Sequence, residues 1–170
     1  MHHIPNVLTV LRLLATPVVV WLILQRDLPN ALILFFCIGM TDTIDGTLAR
    51  KFGWTSKFGA VADPIADKTL LVTVFLTMGY MGYMPVWLVA LVMLRDLAIL
   101  AAAIILKRAG RVTEFPPSVF GKASTFVQLL TAGSILLEWP ADPSPFFYAT
   151  TALAFVSAGH YAIIIRKKLD

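Results

Sequence analysis

The stretch DTIDGTLARKFGWTSKFGAVADPIAD, residues 42–67, decides the fold because it sets four carboxylates in or beside segments that otherwise look like membrane spans. A charged carboxylate at the centre of a membrane helix costs at least ~2.5 kcal/mol, so such residues usually face a polar cavity. Asp42 and Asp45 are spaced i,i+3, and Asp63 and Asp67 are spaced i,i+4, so each pair shares one helix face. Two helices that turn these faces together are expected to form an all-oxygen cage, which suits Mg²⁺, Mn²⁺ or Ca²⁺ and not zinc.

Small residues and cations surround the aspartates. Gly46 and Ala49 follow the first pair and Gly59 precedes the second by one turn, which leaves room for a ligand or a neighbouring helix. Arg50 and Lys57 put positive charge where one helix leaves the membrane and the next enters. A metal held by carboxylates beside cations is a typical way to bind and activate phosphates. The alternatives are a solvated face for the aspartates and packing for the small residues, and the neighbouring apolar runs argue against them.

The spacing D-x-x-D-G-x-x-A-R-x8-G-x-x-x-D-x-x-x-D resembles the signature of the CDP-alcohol phosphatidyltransferase family. Its fixed positions are matched by Asp42, Asp45, Gly46, Ala49, Arg50, Gly59, Asp63 and Asp67. The resemblance implies a membrane enzyme that transfers a phosphatidyl group from CDP-diacylglycerol to an alcohol and releases CMP. It also implies that the four aspartates hold two divalent cations, Mg²⁺ or Mn²⁺, and that Asp67 acts as the general base.

The resemblance extends to residues that would bind the two substrates. Those expected to contact the CDP-lipid are Asn6, Thr9, Gly46, Ala49, Arg50 and Gly59. Arg95, in the middle of the predicted fourth span, and Lys122, at the start of the fifth, are the expected contacts of the acceptor. For Arg95 an alternative stays open, because Asp96 follows it and the two would form an intramembrane ion pair that fixes helix packing.

The acceptor alcohol is predicted by a finer resemblance. The segments 4–6, 63–68 and 121–122 are similar to the branch that contains phosphatidylglycerophosphate synthases and CMP-forming cardiolipin synthases, whereas phosphatidylserine and phosphatidylinositol synthases fit less well. Ala103 stands two turns after Arg95, where the phosphatidylglycerophosphate synthases usually have an arginine. The missing cation favours phosphatidylglycerol as acceptor and cardiolipin as product. The alternative acceptor is glycerol-3-phosphate.

The composition predicts a polytopic membrane protein. Of 170 residues, 58% are hydrophobic and 14% are charged, against about 25% charged in a soluble domain. We expect one domain over residues 1–170. The formal net charge of +4 is explained by membrane topology, described next, and not by nucleic acid. Cys37 is the only cysteine, which excludes an intramolecular disulfide.

The predicted fold is all-α, with six transmembrane helices and an N-terminal interfacial helix. The interfacial segment is Met1 to Leu14, which runs into the first span. The predicted spans are residues 8–24, 31–49, 59–81, 86–106, 121–137 and 146–165. Each has roughly the twenty residues that a helix needs to cross a bilayer. All four aspartates then lie near the same side of the membrane.

Lysine and arginine predict the orientation. They concentrate between spans two and three, between four and five, and after span six, whereas the opposite side has Arg26 alone. By the positive-inside rule both termini and the aspartate end are cytoplasmic, and a bacterial inner membrane is the expected location. A homodimer is expected from the resemblance. Two alternative functions are a transporter or proton pathway and a non-catalytic scaffold. Clustering of the carboxylates at one face argues against the first, and the complete motif argues against the second.

Overall fold

A computed structural model describes residues 4–39, 59–110, 118–139 and 141–169, which are helices joined by short turns. The helices are α1 Ile4–Leu24, α2 Leu28–Gly39, α3 Gly59–Tyr80, α4 Val86–Arg108, α5 Val119–Leu136 and α6 Ser144–Leu169. The prediction of an all-α fold is confirmed for this part of the chain. Five residues of the predicted site lie outside the described ranges, namely Asp42, Asp45, Gly46, Ala49 and Arg50.

Three of the described helices are long and apolar enough to cross a membrane. They contain Val86–Leu106, Val119–Leu136 and Ser144–Arg166. Shorter apolar stretches occupy Leu11–Leu24, Leu28–Gly39 and Lys68–Tyr80. Large apolar side chains are exposed along these helices, including Trp21, Leu94 and Phe155. Apolar surface of this extent on several helices is expected of a protein that faces lipid, so by length and composition the chain is an integral membrane protein.

The turn between α1 and α2 shows how local sequence sets the helix ends. Arg26 has a φ of 61°, and its N–H donates to the carbonyl of Ile23 while the N–H of Asp27 donates to that of Leu22. This pattern satisfies the last carbonyls of α1. The carboxylate of Asp27 then accepts hydrogen bonds from the backbone N–H and the side-chain amide of Asn30, at 3.4 and 2.7 Å, and so caps the start of α2. The turn itself comprises residues 25–27, because α2 already begins at Leu28.

The chain divides into two compact units, of which the first comprises residues 1–81 and 136–138. In this unit α1 packs against α3. The buried residues of α1 recur every three or four positions, as Arg12, Thr16, Val19 and Ile23, which is the spacing of one helix face. Those of α3 are Leu70, Leu71, Val74, Phe75, Thr77 and Met78. The buried faces of α1 and α3 therefore contribute to the core of the unit.

The second unit comprises residues 82–135 and 139–170. The buried residues of α6 again follow one face, as Phe147, Thr150, Ala154, Ser157 and Tyr161. α4 packs against α6. α5 is joined to α6 near one end by the hydroxyls of Thr131 and Thr150, 2.7 Å apart, and near the other by the N–H of Ser118, which donates to the Tyr161 hydroxyl at 3.1 Å. α5 and α6 therefore run antiparallel.

Candidate functional site

The second aspartate pair lies on α3. Asp63 and Asp67 are the fifth and ninth residues of a helix that begins at Gly59, so one turn separates them and their positions share one face. A pair of carboxylates at this spacing suits a hard divalent cation. Within the described ranges no group of three His, Cys, Asp or Glu residues is placed to bind a metal. Asp42 and Asp45, the other half of the predicted cage, lie outside those ranges.

The predicted CDP-lipid contacts on α1 lie close to its start. Asn6 and Thr9 are three residues apart in the first two turns of this helix, so their positions fall on the same face. Gly59, predicted for the same role, is the first residue of α3. The assignments to the CDP-lipid remain predictions.

Arg95 links two helices of the second unit. Its side chain is buried, with a residue exposure of 7%. One terminal nitrogen donates to a carboxylate oxygen of Asp96 at 2.6 Å, and the other donates to the hydroxyl of Ser157 on α6. The ion pair that the sequence left open is therefore present. The Nε of Arg95 is buried and has no hydrogen-bond partner in the described part of the chain.

A second group of polar residues, not predicted from the sequence, lies buried along α5. Its members are Ser118, Ser124, Gln128, Thr131 and Ser134. Thr131 is satisfied by the Val127 carbonyl and by Thr150. The hydroxyl of Ser124 and both amide atoms of Gln128 have no partner among the described residues. A buried polar group without a partner costs about 1–3 kcal/mol. The signal in the sequence was polar residues at three- and four-residue steps within an apolar helix.

The start of α5 is tied to the C-terminal half of α6 by a cluster that was not predicted from the sequence. The hydroxyl of Ser118 lies 2.9 Å from Nδ1 of His160, and its N–H donates to the Tyr161 hydroxyl. The ring of Phe120 packs against His160, with centroids 5.0 Å apart. A Cβ at Gly121 would lie 3.0 Å from the Tyr161 oxygen. The small residue at position 121 is therefore what lets the tyrosine reach the first turn of α5.

Lys122 lies in the first turn of α5 and is exposed. It borders a surface groove of about 400 Å³. The groove is lined by Ser118, Gly121, Lys122, Thr125, Phe126 and Leu129. The residue predicted to contact the acceptor thus stands at the polar end of a groove whose other end is apolar.

Comparison with known proteins gives a match over nearly the whole chain. The family model described as CDP-alcohol phosphatidyltransferase matches residues 2–162. A Drosophila melanogaster protein named probable cardiolipin synthase (CMP-forming) is 32% identical over 194 residues, covering 97% of this chain and 60% of the fly protein.

Two bacterial relatives match over a shorter stretch. A Mycobacterium tuberculosis protein named probable phosphatidylglycerophosphate synthase is 34% identical over 143 residues, covering 79% of this chain and 66% of that protein. A Streptomyces coelicolor protein named cardiolipin synthase (CMP-forming) is 32% identical over 143 residues, covering 79% of this chain and 64% of that protein. The chain thus spans less than two thirds of the length of these three relatives.

Proposed function

Because the chain belongs to the CDP-alcohol phosphatidyltransferase family, we propose that it is a phospholipid synthase, which transfers a phosphatidyl group from CDP-diacylglycerol to an alcohol with release of CMP. The observation that carries the proposal is the aspartate pair of α3, Asp63 and Asp67, one turn apart in the first half of the helix. This pair ends a motif in which all eight fixed positions of the family signature are present.

The acceptor that we propose is phosphatidylglycerol, which gives cardiolipin. The names of the fly and Streptomyces relatives support it. Ala103, two turns after Arg95 on α4, offers no second cation for a phosphorylated acceptor. The second candidate is glycerol-3-phosphate, which the name of the mycobacterial relative favours.

The chemistry proposed for the site needs a base and a means of holding a pyrophosphate. Two divalent cations, Mg²⁺ or Mn²⁺, would offset the negative charge of the pyrophosphate and of the leaving CMP when bound. Asp42, Asp45, Asp63 and Asp67 would hold them with carboxylate oxygens, which are the ligands such ions prefer. Asp67 would take the proton of the acceptor hydroxyl while that oxygen bonds to the phosphatidyl phosphorus. The bond from this phosphorus to the CMP oxygen breaks, and CMP leaves with the electron pair.

The remaining contacts are proposed by position. The CDP-lipid would be bound by Asn6, Thr9, Gly46, Ala49, Arg50 and Gly59. Arg95 and Lys122 would bind the acceptor. Glycines at positions 46 and 59 would allow the nucleotide to approach the backbone closely.

We also propose that all six helices cross the membrane as one domain, with residues 1–14 starting at the interface. The antiparallel arrangement of α5 and α6 supports a shared end for Lys122 and Arg166, and we propose the same end for Arg108, which closes α4. Positive charge collected at one end favours a cytoplasmic orientation of that end. A bacterial plasma membrane and a homodimer complete the proposal.

The test is a product assay on the purified full chain in detergent with Mg²⁺ or Mn²⁺. CDP-diacylglycerol is offered with phosphatidylglycerol in one reaction and with glycerol-3-phosphate in another. We expect CMP and cardiolipin from the first reaction. Phosphatidylglycerophosphate from the second reaction alone would establish the second candidate, and absence of CMP in both would refute the proposal.

Replacing the proposed base gives a sharper result. Asp67→Asn is expected to lower turnover by about 10²-fold or more, which is the usual contribution of general base catalysis. Asp142→Asn is the matched control, because Asp142 is an exposed carboxylate in the turn before α6, and we expect it to keep full activity. A folded Asp67→Asn variant with full divalent-dependent turnover would contradict the assignment of the base.

A further inference from the structure

The buried face of α5 carries two polar side chains that lie four positions apart. Ser124 and Gln128 both have an exposure of 0%. The hydroxyl oxygen of Ser124 and the two amide atoms of Gln128 have no hydrogen-bond partner in the described part of the chain. Residues at this spacing share one face of a helix. Because buried polar groups in folded proteins are nearly always hydrogen-bonded, these atoms indicate a bound polar molecule.

This face of α5 packs against α6. Three residues before the serine, a Cβ at Gly121 would lie 3.0 Å from the hydroxyl oxygen of Tyr161. Three residues after the glutamine, the hydroxyl of Thr131 lies 2.7 Å from that of Thr150. Positions three residues apart face the same side of a helix. The two polar residues are therefore on the side of α5 that meets α6, between these two contacts.

The site lies in the interior of the second unit. Because α5 and α6 run antiparallel, the level of Ser124 falls close to Ser157 of α6, which is buried and accepts a hydrogen bond from Arg95 of α4. In the α5 span 44% of the residues are buried, against 22% in the spans of α4 and α6. A molecule bound at Ser124 and Gln128 is therefore small and enclosed by protein.

The chemistry of the three atoms selects the molecule. The Gln128 amide offers both donors and an acceptor, and the Ser124 hydroxyl can act as either. A metal ion or a carboxylate would match only one of these functions. Water both donates and accepts, and a buried water typically makes about three hydrogen bonds to groups of this kind. Side chains on a helix lean toward its N-terminus, so the amide of Gln128 leans toward the turn that contains Ser124.

We propose that Ser124 and Gln128 form a binding site for ordered water between α5 and α6. The water accepts a hydrogen bond from the amide N–H of Gln128 and donates one to the hydroxyl oxygen of Ser124, so that it bridges two turns of the helix. The bridge satisfies polar groups that a membrane-spanning helix cannot expose to lipid. The inference goes beyond the proposed function, because it involves neither a substrate nor a metal ion.

Solution NMR of the full chain in deuterated detergent detects the water directly. Gln25 and Gln128 are the only glutamines of the chain, so ¹⁵N labelling of glutamine side chains gives two amide groups, which Gln25→Asn assigns. Water bound beside the Gln128 amide gives cross-peaks of opposite sign in NOE and ROE spectra. Chemical exchange with solvent, which we expect at the exposed Gln25, gives cross-peaks of the same sign in both. We expect the first pattern for Gln128 in the wild-type chain.

Substitution of the serine tests its role in the site. Ser124→Ala should remove the Gln128 cross-peak to water and lower Tm by about 1–6 °C, which corresponds to the loss of a typical hydrogen bond. If the hydroxyl had no partner, the same substitution would raise Tm, because it would remove a buried polar group that makes no hydrogen bond. Ser134→Ala is the matched control. Ser134 is also buried on α5, but its hydroxyl donates to the carbonyl of Thr131 at 2.9 Å, so this variant should keep the cross-peak.

Three results would overturn the proposal. They are a rise of Tm in Ser124→Ala, a Gln128 amide without the dipolar cross-peak to water in the wild-type chain, and a cross-peak that Ser124→Ala keeps. A cross-peak that disappears when phosphatidylglycerol or CDP-diacylglycerol is added would also overturn it, because the two side chains would then bind a substrate. A cross-peak that persists with both lipids and is lost in Ser124→Ala, together with the fall in Tm, supports the water site.

Discussion

The ion pair within α4 gives the most informative stability prediction. Arg95 and Asp96 have side-chain exposures of 6% and 13%, and their charged atoms are 2.6 Å apart. Asp96→Ala removes the carboxylate and leaves a buried guanidinium without this counter-charge. Loss of one partner of a buried pair typically costs about 3–5 kcal/mol. We therefore expect Asp96→Ala to be strongly destabilising, although the hydrogen bond from Arg95 to Ser157 is kept.

The double variant Arg95→Met/Asp96→Leu removes both charges and replaces the two side chains by hydrophobic ones of similar volume. Replacement of a buried ion pair by hydrophobic residues of similar size is often neutral or stabilising, so we expect it to be at least as stable as the wild type within about 1 kcal/mol. The assay is thermal unfolding in detergent, followed by tryptophan fluorescence. At about 2–4 °C per kcal/mol for a chain of this size, Asp96→Ala should lower Tm by roughly 6–20 °C.

Two results would refute this reasoning. If the free energy of unfolding of Asp96→Ala stayed within about 1 kcal/mol of the wild-type value, the pair would be solvated and not buried. If the double variant were as unstable as the single one, Arg95 would be needed for packing beyond its charge. The double variant also separates the two roles of Arg95, because a stable protein with a raised KM for the acceptor would indicate that the arginine contacts that substrate.

Two further predictions concern the ends of α5 and α6. Gly121→Ala should lower the free energy of unfolding by about 1 kcal/mol despite the higher helix propensity of alanine, because the new Cβ would lie 3.0 and 3.2 Å from Oη and Cε2 of Tyr161. Gly159→Ala, with nothing within 4 Å of the added Cβ, should instead raise the free energy of unfolding by up to about 1 kcal/mol. Chemical unfolding measures both variants, and an equal effect of the two substitutions would contradict the packing argument. Hydrogen bonds from the side chain and the backbone N–H of Ser144 hold the pKa of Asp142 below its ordinary value. The carboxylate therefore stabilises the folded state at pH values above its ordinary pKa, and this stabilisation is lost as the pH falls through the lowered pKa. Asp142→Asn should therefore unfold at a lower temperature than the wild type at pH 7 and at the same temperature in strong acid, and a gap that did not change with pH would refute the assignment.

The helices of the described chain were predictable from the sequence, because apolar runs near twenty residues separated by polar turns specify their number and order. The α1–α2 turn is a clear case, since Asp27 and Asn30 have the residue types that cap a helix. The predicted ends of the helices were less accurate. α6 begins at Ser144 and ends at Leu169, whereas the predicted span covered residues 146–165, because the backbone remains helical beyond the apolar segment that crosses the bilayer.

The contacts of the second unit were not predictable in the same way. Ser118 and Tyr161 are separated by 43 residues, and the spacing of polar residues along α5 indicates a face without indicating which helix covers it. Arg95 shows the same limit. The sequence predicted Asp96 as the partner of a buried arginine. It did not predict the hydrogen bond to Ser157, because that contact depends on the packing of α4 against α6.

Substitutions on the buried and on the exposed face of α5 should affect stability differently. On the inner face, the hydroxyl of Thr131 ties α5 to Thr150 of α6, so substitutions there change stability first. On the outer face, Lys122 and Leu129 are exposed beside the groove, and substitutions of exposed residues usually change the free energy of unfolding by less than about 0.5 kcal/mol. Variants of the outer face should therefore leave Tm nearly unchanged. A large fall in Tm in Lys122→Gln would mean that this exposed side of α5 also takes part in the packing of the unit.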